Sequence, residues 1–200
     1  MHRLPNILSF SRIVLAPVFL WMYLQDDLVL RSLSIAVFVV AALTDFADGF
    51  VARRMSYESR FGVFLDPLAD KLLTFAGFVC LPFVDKELYP WWAVAVIVVR
   101  DAAITWLRVY AQQKGIQVQT RYSAKVKTLV QMVFLYVALI LGVAVESSNP
   151  ILIYSGAIMS SWAMYGFMMA VVALTVYSGL EYLVVNRGVW LRAEPHGRES

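Results

Sequence analysis

Asp45-Phe46-Ala47-Asp48-Gly49-Phe50-Val51-Ala52-Arg53 and, after eight residues, Gly62-Val63-Phe64-Leu65-Asp66-Pro67-Leu68-Ala69-Asp70 set four carboxylates into apolar surroundings. One carboxylate at the centre of a bilayer costs about 2.5–3.5 kcal/mol on insertion scales, so such groups mark sites rather than accidents. Asp45 and Asp48 are three apart, Asp66 and Asp70 four apart, and on helices either spacing puts the pair on one face. The connector between them turns the chain back, so the two faces can meet at one depth. Gly49, Ala52 and Gly62 permit close approach of a backbone or a ligand. Arg53 stands about one turn beyond Asp48 and Gly49, within reach of a phosphate. Four neighbouring acids would stay partly protonated unless cations intervened. Mg²⁺ and Mn²⁺ are hard ions that prefer oxygen ligands, and a pair of them facing an activated phosphate forms a clamp for phosphoryl transfer. Read singly, the residues allow other roles. Asp66 before Pro67 fits a helix N-cap. Asp45 with Asp48 fits a structural polar pair or a proton relay. The four together, with the glycines and Arg53, favour a divalent-cation site.

Around this stretch the chain is too apolar for a soluble domain: 60% of its 200 residues are apolar and 16% charged. Strict apolar/polar alternation is absent, which argues against a transmembrane barrel. The expected fold is an all-α integral membrane protein, a six-transmembrane-helix bundle, with spans near 8–24, 28–53, 62–84, 91–112, 125–145 and 162–185. Short polar connectors separate them. Residues 151–161 read either as a loop or as a surface helix. The expected organisation is a single membrane domain over 1–191 and a polar tail over 192–200. No cleavable leader pattern precedes the first span, which is therefore expected in the mature protein. Cys80 is the only cysteine, so neither an internal disulfide nor a thiolate metal site can form. A net charge of +3 without a long basic run fits an anionic lipid surface and no nucleic acid. The six tryptophans fall mostly near span ends, as interface anchors do.

Lys and Arg cluster at the two termini, in 53–60 and in 114–127, whereas the opposite connectors hold Arg31 and Lys86 alone. This asymmetry puts both termini and the loop between the acidic pairs in the cytoplasm. A bacterial inner membrane is the expected location, because no Arg/Ser-rich transit segment is visible.

The pattern Asp45-x-x-Asp48-Gly49-x-x-Ala52-Arg53, eight residues, Gly62, three residues, Asp66, three residues, Asp70 resembles the complete signature of the CDP-alcohol phosphotransferases. The resemblance implies two Mg²⁺ or Mn²⁺ ions held by Asp45, Asp48, Asp66 and Asp70. It also implies that Asp70 is the general base on an acceptor hydroxyl, and that Gly49, Arg53 and Ser59 contact a CDP-linked lipid. It implies a homodimer as well. The opening Leu4-Pro5-Asn6-Ile7-Leu8-Ser9-Phe10-Ser11-Arg12 resembles the start of phosphatidylglycerophosphate and cardiolipin synthases, which adds Asn6 and Ser9 to the CDP-lipid contacts. The other reading of that stretch is a capped helix start with an interfacial arginine.

Four cations on later spans, Arg100, Arg108, Lys125 and Lys127, are candidates for binding a phosphate on the acceptor. Snorkelling at the interface is the alternative for Arg108, Lys125 and Lys127, and a buried structural pair with Asp101 the alternative for Arg100. Ala124-Lys125-Val126-Lys127-Thr128-x-x-Gln131 and Ser178-Gly179-Leu180-Glu181-Tyr182 resemble segments of the phosphatidylglycerophosphate synthases. Arg100-Asp101 departs from their usual Arg-Glu and is nearer the cardiolipin synthases. On balance the resemblance implies transfer of a phosphatidyl group from CDP-diacylglycerol to glycerol 3-phosphate. Phosphatidylglycerol or inositol phosphate as acceptor is the alternative within the family. An ion or proton transporter using intramembrane carboxylates is the alternative of another class, opposed by the clustering of the acids at one membrane face. A membrane prenyltransferase gives the framework Gly49, Ala52, Arg53 and Gly62 no role.

Overall fold

The computed structural model describes residues 4–52, 62–116, 118–119, 121–146 and 162–187; within its helices, the side chains of 4–9, 44–52, 62–70 and 146 lie outside the description. The described residues form six helices and no strand: α1 Leu4–Tyr23, α2 Leu28–Ala52, α3 Gly62–Val84, α4 Trp91–Gln113, α5 Tyr122–Glu146 and α6 Trp162–Val185. Residues 151–161 and the tail 192–200 are outside the described residues.

The helix ends follow local chemistry. Asp27 caps α2, its Oδ1 accepting from the backbone N–H of Val29 (2.7 Å) and Leu30 (3.2 Å). Arg31 reaches back to the end of α1, donating from Nε to the Tyr23 carbonyl and from Nη2 to the Gln25 carbonyl, both at 3.0 Å. One of the two cations on the sparsely charged side is thereby a helix cap. Asp85 Oδ1 accepts from Glu87 and Leu88 N–H and closes the turn into α4. Gly115, at φ +68°, ends α4: its N–H donates to the Gln112 carbonyl, and that of Ile116 to the Ala111 carbonyl. The first helix begins at Leu4 rather than near residue 8 because Pro5 fits a first turn, where no intrahelical donor is needed. One expectation changes: α3 starts at Gly62, so Asp66 stands in its second turn and is not an N-cap.

Helix α1 packs on α2 and α3, α4 on α3 and α6, and α5 on α2, α3 and α6. Fully buried Phe19, Phe38, Phe78, Phe134, Leu135 and Met168 fill the interior. Phe19 meets Phe38 at 4.8 Å between centroids, and Phe134 stands edge-on to Phe167 at 5.1 Å. The outward faces are also apolar, with Val40, Leu43, Leu129, Ile140, Leu180 and Val184 all exposed. Apolar residues inside and out suit a lipid surround and not water. Among the described residues two helical segments, Tyr122–Val145 and Trp162–Val185, are long and apolar enough to cross a bilayer.

Gly77 lets α3 lie against α5. A Cβ there would stand 2.7 Å from Leu135 Cδ2 and 3.2 Å from Phe38 Cε2, both in buried side chains. Gly77→Ala is therefore expected to destabilise the fold by about 1–3 kcal/mol through overpacking, read as a lower thermal midpoint in detergent.

Candidate active site

Asp45 and Asp48 stand in the last two turns of α2, and Asp66 and Asp70 in the second and third turns of α3, on helices that touch. The helix boundaries thus carry both acidic pairs on regular α-helix, as the spacing requires for a shared face. Their side-chain oxygens lie outside the description, as do those of Asn6 and Ser9 on α1; Gly49 is on α2, and Arg53 and Ser59 are outside the described residues. The donor set is all carboxylate, which fits a hard divalent ion and not a thiophilic one. Among the described side chains no group of three His, Cys, Asp or Glu gathers.

One residue beyond Asp70, α3 presents Lys71 to a cavity of about 580 Å³ whose lining comes from α3, α4, α5 and α6. Among the described residues, five cations, Lys71, Arg100, Arg108, Lys125 and Lys127, line it against one carboxylate, Asp101. Asp101 is almost fully enclosed, its side chain 1% exposed. Lys127 Nζ donates to its Oδ1 at 2.6 Å and to its Oδ2 at 2.8 Å. Arg100 Nη1 donates to Oδ1 at 3.0 Å, and Lys71 Nζ lies 3.8 Å from Oδ2. The excess of positive charge in a partly enclosed space suits an anion.

Helix α6 supports this array. Arg100 Nη2 donates to Ser178 Oγ at 3.0 Å, and Ser178 Oγ donates to the Thr175 carbonyl. The Arg100 stem lies over Gly179, where a Cβ would come within 3.1 Å of Nε. Gln131 Nε2 donates to Thr175 Oγ1, extending the polar ladder from α6 to α5. Ser123 pairs with Glu181, and Asn186 binds the backbone of Gln119. The 178–182 motif therefore seats Arg100 and ties α6 to the start of α5. The Nε atoms of Arg100 and Arg108 and the Tyr182 hydroxyl are buried without a partner among the described residues. All three residues line the cavity, with these particular atoms turned away from its open space.

The structure gathers all four cations expected at the acceptor site, in different ways. Lys127 does not snorkel: its side chain is 3% exposed and ion-paired. Arg100 and Asp101 form the buried pair that was one reading of their sequence, and Arg100 lines the cavity as well. Arg108 is half-buried, and Lys125 is exposed at the rim. Sequence reasoning missed Lys71 and did not see Asp101 as the hub. The signal for Lys71 is its place one helical step, about 100° round, from Asp70.

Fold and site define a class. The sequence model of the CDP-alcohol phosphatidyltransferase family matches residues 2–177, and the chain belongs to that family. It is 33% identical over 198 residues to the CDP-diacylglycerol–glycerol-3-phosphate 3-phosphatidyltransferase of Bacillus subtilis (strain 168), covering 93% of this chain and 96% of that one. The enzymes of the same name from Salmonella typhimurium and Escherichia coli K12 are each 32% identical over 176 residues, 84% of this chain and 94% of theirs.

Proposed function

We propose that this protein is a multi-pass membrane enzyme that transfers the phosphatidyl group of CDP-diacylglycerol to glycerol 3-phosphate, giving phosphatidylglycerophosphate and CMP. The observation that carries the acceptor assignment is the cation-rich cavity beside Lys71, the residue after Asp70, lined by Arg100, Arg108 and Lys127. A phosphate-bearing acceptor uses such a cavity, whereas phosphatidylglycerol needs a second lipid groove. The names of the relatives at 32–33% identity over most of the chain support the same acceptor.

In this reading the lipid donor enters from the bilayer and the acceptor from the cytoplasm. The cationic cavity holds the acceptor phosphate and aims the 1-hydroxyl at the donor. Asp70 takes the hydroxyl proton. The freed oxygen attacks the phosphorus that bears diacylglycerol; a new P–O bond forms and the bond to CMP breaks. Arg53 pairs with the phosphates of the donor, and Gly49 and Ser59, with Asn6 and Ser9 of α1, complete the CDP-lipid contacts. Asp45, Asp48, Asp66 and Asp70 would hold two Mg²⁺ or Mn²⁺ ions, which when bound offset the carboxylate repulsion and the phosphate charge. The reading includes all six helices as transmembrane, residues 1–191 as one domain with a polar tail, both termini and the site facing the cytoplasm of a bacterial inner membrane, and a homodimer. The distribution of Lys and Arg supports the orientation.

Incubation of purified protein with CDP-diacylglycerol and labelled glycerol 3-phosphate is expected to yield a labelled phosphatidylglycerophosphate. Phosphatidylglycerol or inositol phosphate in its place is expected to yield little product; cardiolipin as the main product would refute the acceptor assignment.

A further inference from the structure

We infer that Asp101 is a positioning residue of the acceptor pocket. Its carboxylate holds Lys127, Arg100 and Lys71 in one array and, through Lys71, keys that array to the helix bearing Asp66 and Asp70. The inference rests on the proposed function for the identity of the acceptor. A carboxylate inside an anion-binding cavity is unfavourable for the anion by itself, so its presence calls for a role. Both Asp101 oxygens are shared. Oδ1 accepts from α5 and from Arg100 of its own helix, and Oδ2 accepts from α5 and lies 3.8 Å from the Lys71 ammonium of α3. Without this counter-charge the three cations repel one another, and Lys127, almost wholly enclosed, has no partner for its charge.

The geometry of the other cations agrees. Arg100 is anchored a second time, on Ser178 and over Gly179. Asp101 therefore joins a fixed arginine to two lysines on other helices. Arg100 Nε, Arg108 Nε and the Tyr182 hydroxyl stay unpartnered in the same cavity lining. The carboxylate thus engages the two lysines and one edge of the Arg100 guanidinium. Lys71 directly follows Asp70, so an acceptor phosphate held by the array keeps a fixed separation from the acids of α3. Reaction geometry is sensitive to displacements of about 1 Å.

Isothermal titration of the full-length protein in detergent with glycerol 3-phosphate, without CDP-lipid, reads the array apart from turnover. Asp101→Asn is expected to weaken binding at least about tenfold, and Asp101→Glu to recover part of that loss. The KM for CDP-diacylglycerol is expected to stay unchanged in both. Unchanged glycerol 3-phosphate affinity in Asp101→Asn, or equal weakening toward both substrates, overturns the inference. The double variant Asp101→Asn/Lys127→Met leaves neither half of the pair orphaned and guards against misfolding of the single variant. It is expected to bind no worse than the weaker single variant, because both act through one array; losses that simply add overturn the inference. A wild type that binds glycerol 3-phosphate in an Asp101-dependent way without releasing CMP supports the array and refutes the reaction. A wild type that binds none overturns the array.

Discussion

Asp70→Asn is expected to cut CMP release by roughly 10²–10⁴-fold. Asparagine keeps one carbonyl oxygen but cannot take a proton. Metal binding, followed by titration with Mn²⁺, is accordingly expected to weaken but persist, while turnover is lost. The distinction matters because two roles, ligand and base, are proposed for Asp70. Asp45→Asn removes a ligand alone and is expected to show its activity partly restored by raised metal concentration. Asp70→Asn is not expected to recover at any metal concentration. Near-normal CMP release by Asp70→Asn removes the base assignment, and recovery with added metal reduces its role to that of a ligand.

Lys127→Ala is expected to raise the KM for glycerol 3-phosphate by about 30-fold or more, on the scale seen when one partner of a buried charge pair is truncated. Two effects combine. The cavity loses a cation proposed to bind the acceptor phosphate, and Asp101 loses its shortest contact, at 2.6 Å. Arg100 at 3.0 Å and Lys71 at 3.8 Å still partner the carboxylate, so the fold is expected to survive with a lowered thermal midpoint. The KM for CDP-diacylglycerol is expected to hold, since the proposed donor contacts belong to other parts of the chain, Asn6, Ser9, Gly49, Arg53 and Ser59. Lys127→Arg keeps the charge and is expected to fall between the two. An unchanged glycerol 3-phosphate KM in Lys127→Ala would instead favour a lipid acceptor.

The sequence reads well where the information is local. Gln25-Asp26-Asp27 and Asp85 to Pro90 break apolar runs with residues that cap or turn. Spans drawn between such breaks come within four residues of the observed helix ends, as in Gly62–Val84 and Trp162–Val185. The acidic signature is local too, at helical spacing on neighbouring helices. Asp66 misleads when read by itself, because Asp before Pro is also a capping pattern; the apolar residues after Gly62 extend the helix backward past it. The acceptor pocket is less legible. Its hub pairs Asp101 with Lys127, 26 positions away on another helix, and no periodicity within either helix announces that. A lysine near a span end looks the same in sequence whether it snorkels or closes a buried pair. Lys71 is masked by its neighbour, since the motif ends at Asp70 and the next residue turns to another face. Small residues are similar: Gly179 stands out only as part of the 178–182 stretch, and its use shows once Arg100 is found lying on it.

In the proposed function, α2 and α3 present four carboxylates to a common divalent-ion site that serves CDP-alcohol chemistry. The most direct test is CMP release by the purified protein with CDP-diacylglycerol, measured with chelator and after graded return of Mg²⁺ or Mn²⁺, with and without glycerol 3-phosphate. Release is expected only when metal and glycerol 3-phosphate are both present, with Asp45→Asn, Asp48→Asn and Asp66→Asn each shifting the metal requirement upward. CMP release that persists in chelator, or a metal requirement that none of these substitutions moves, would contradict it.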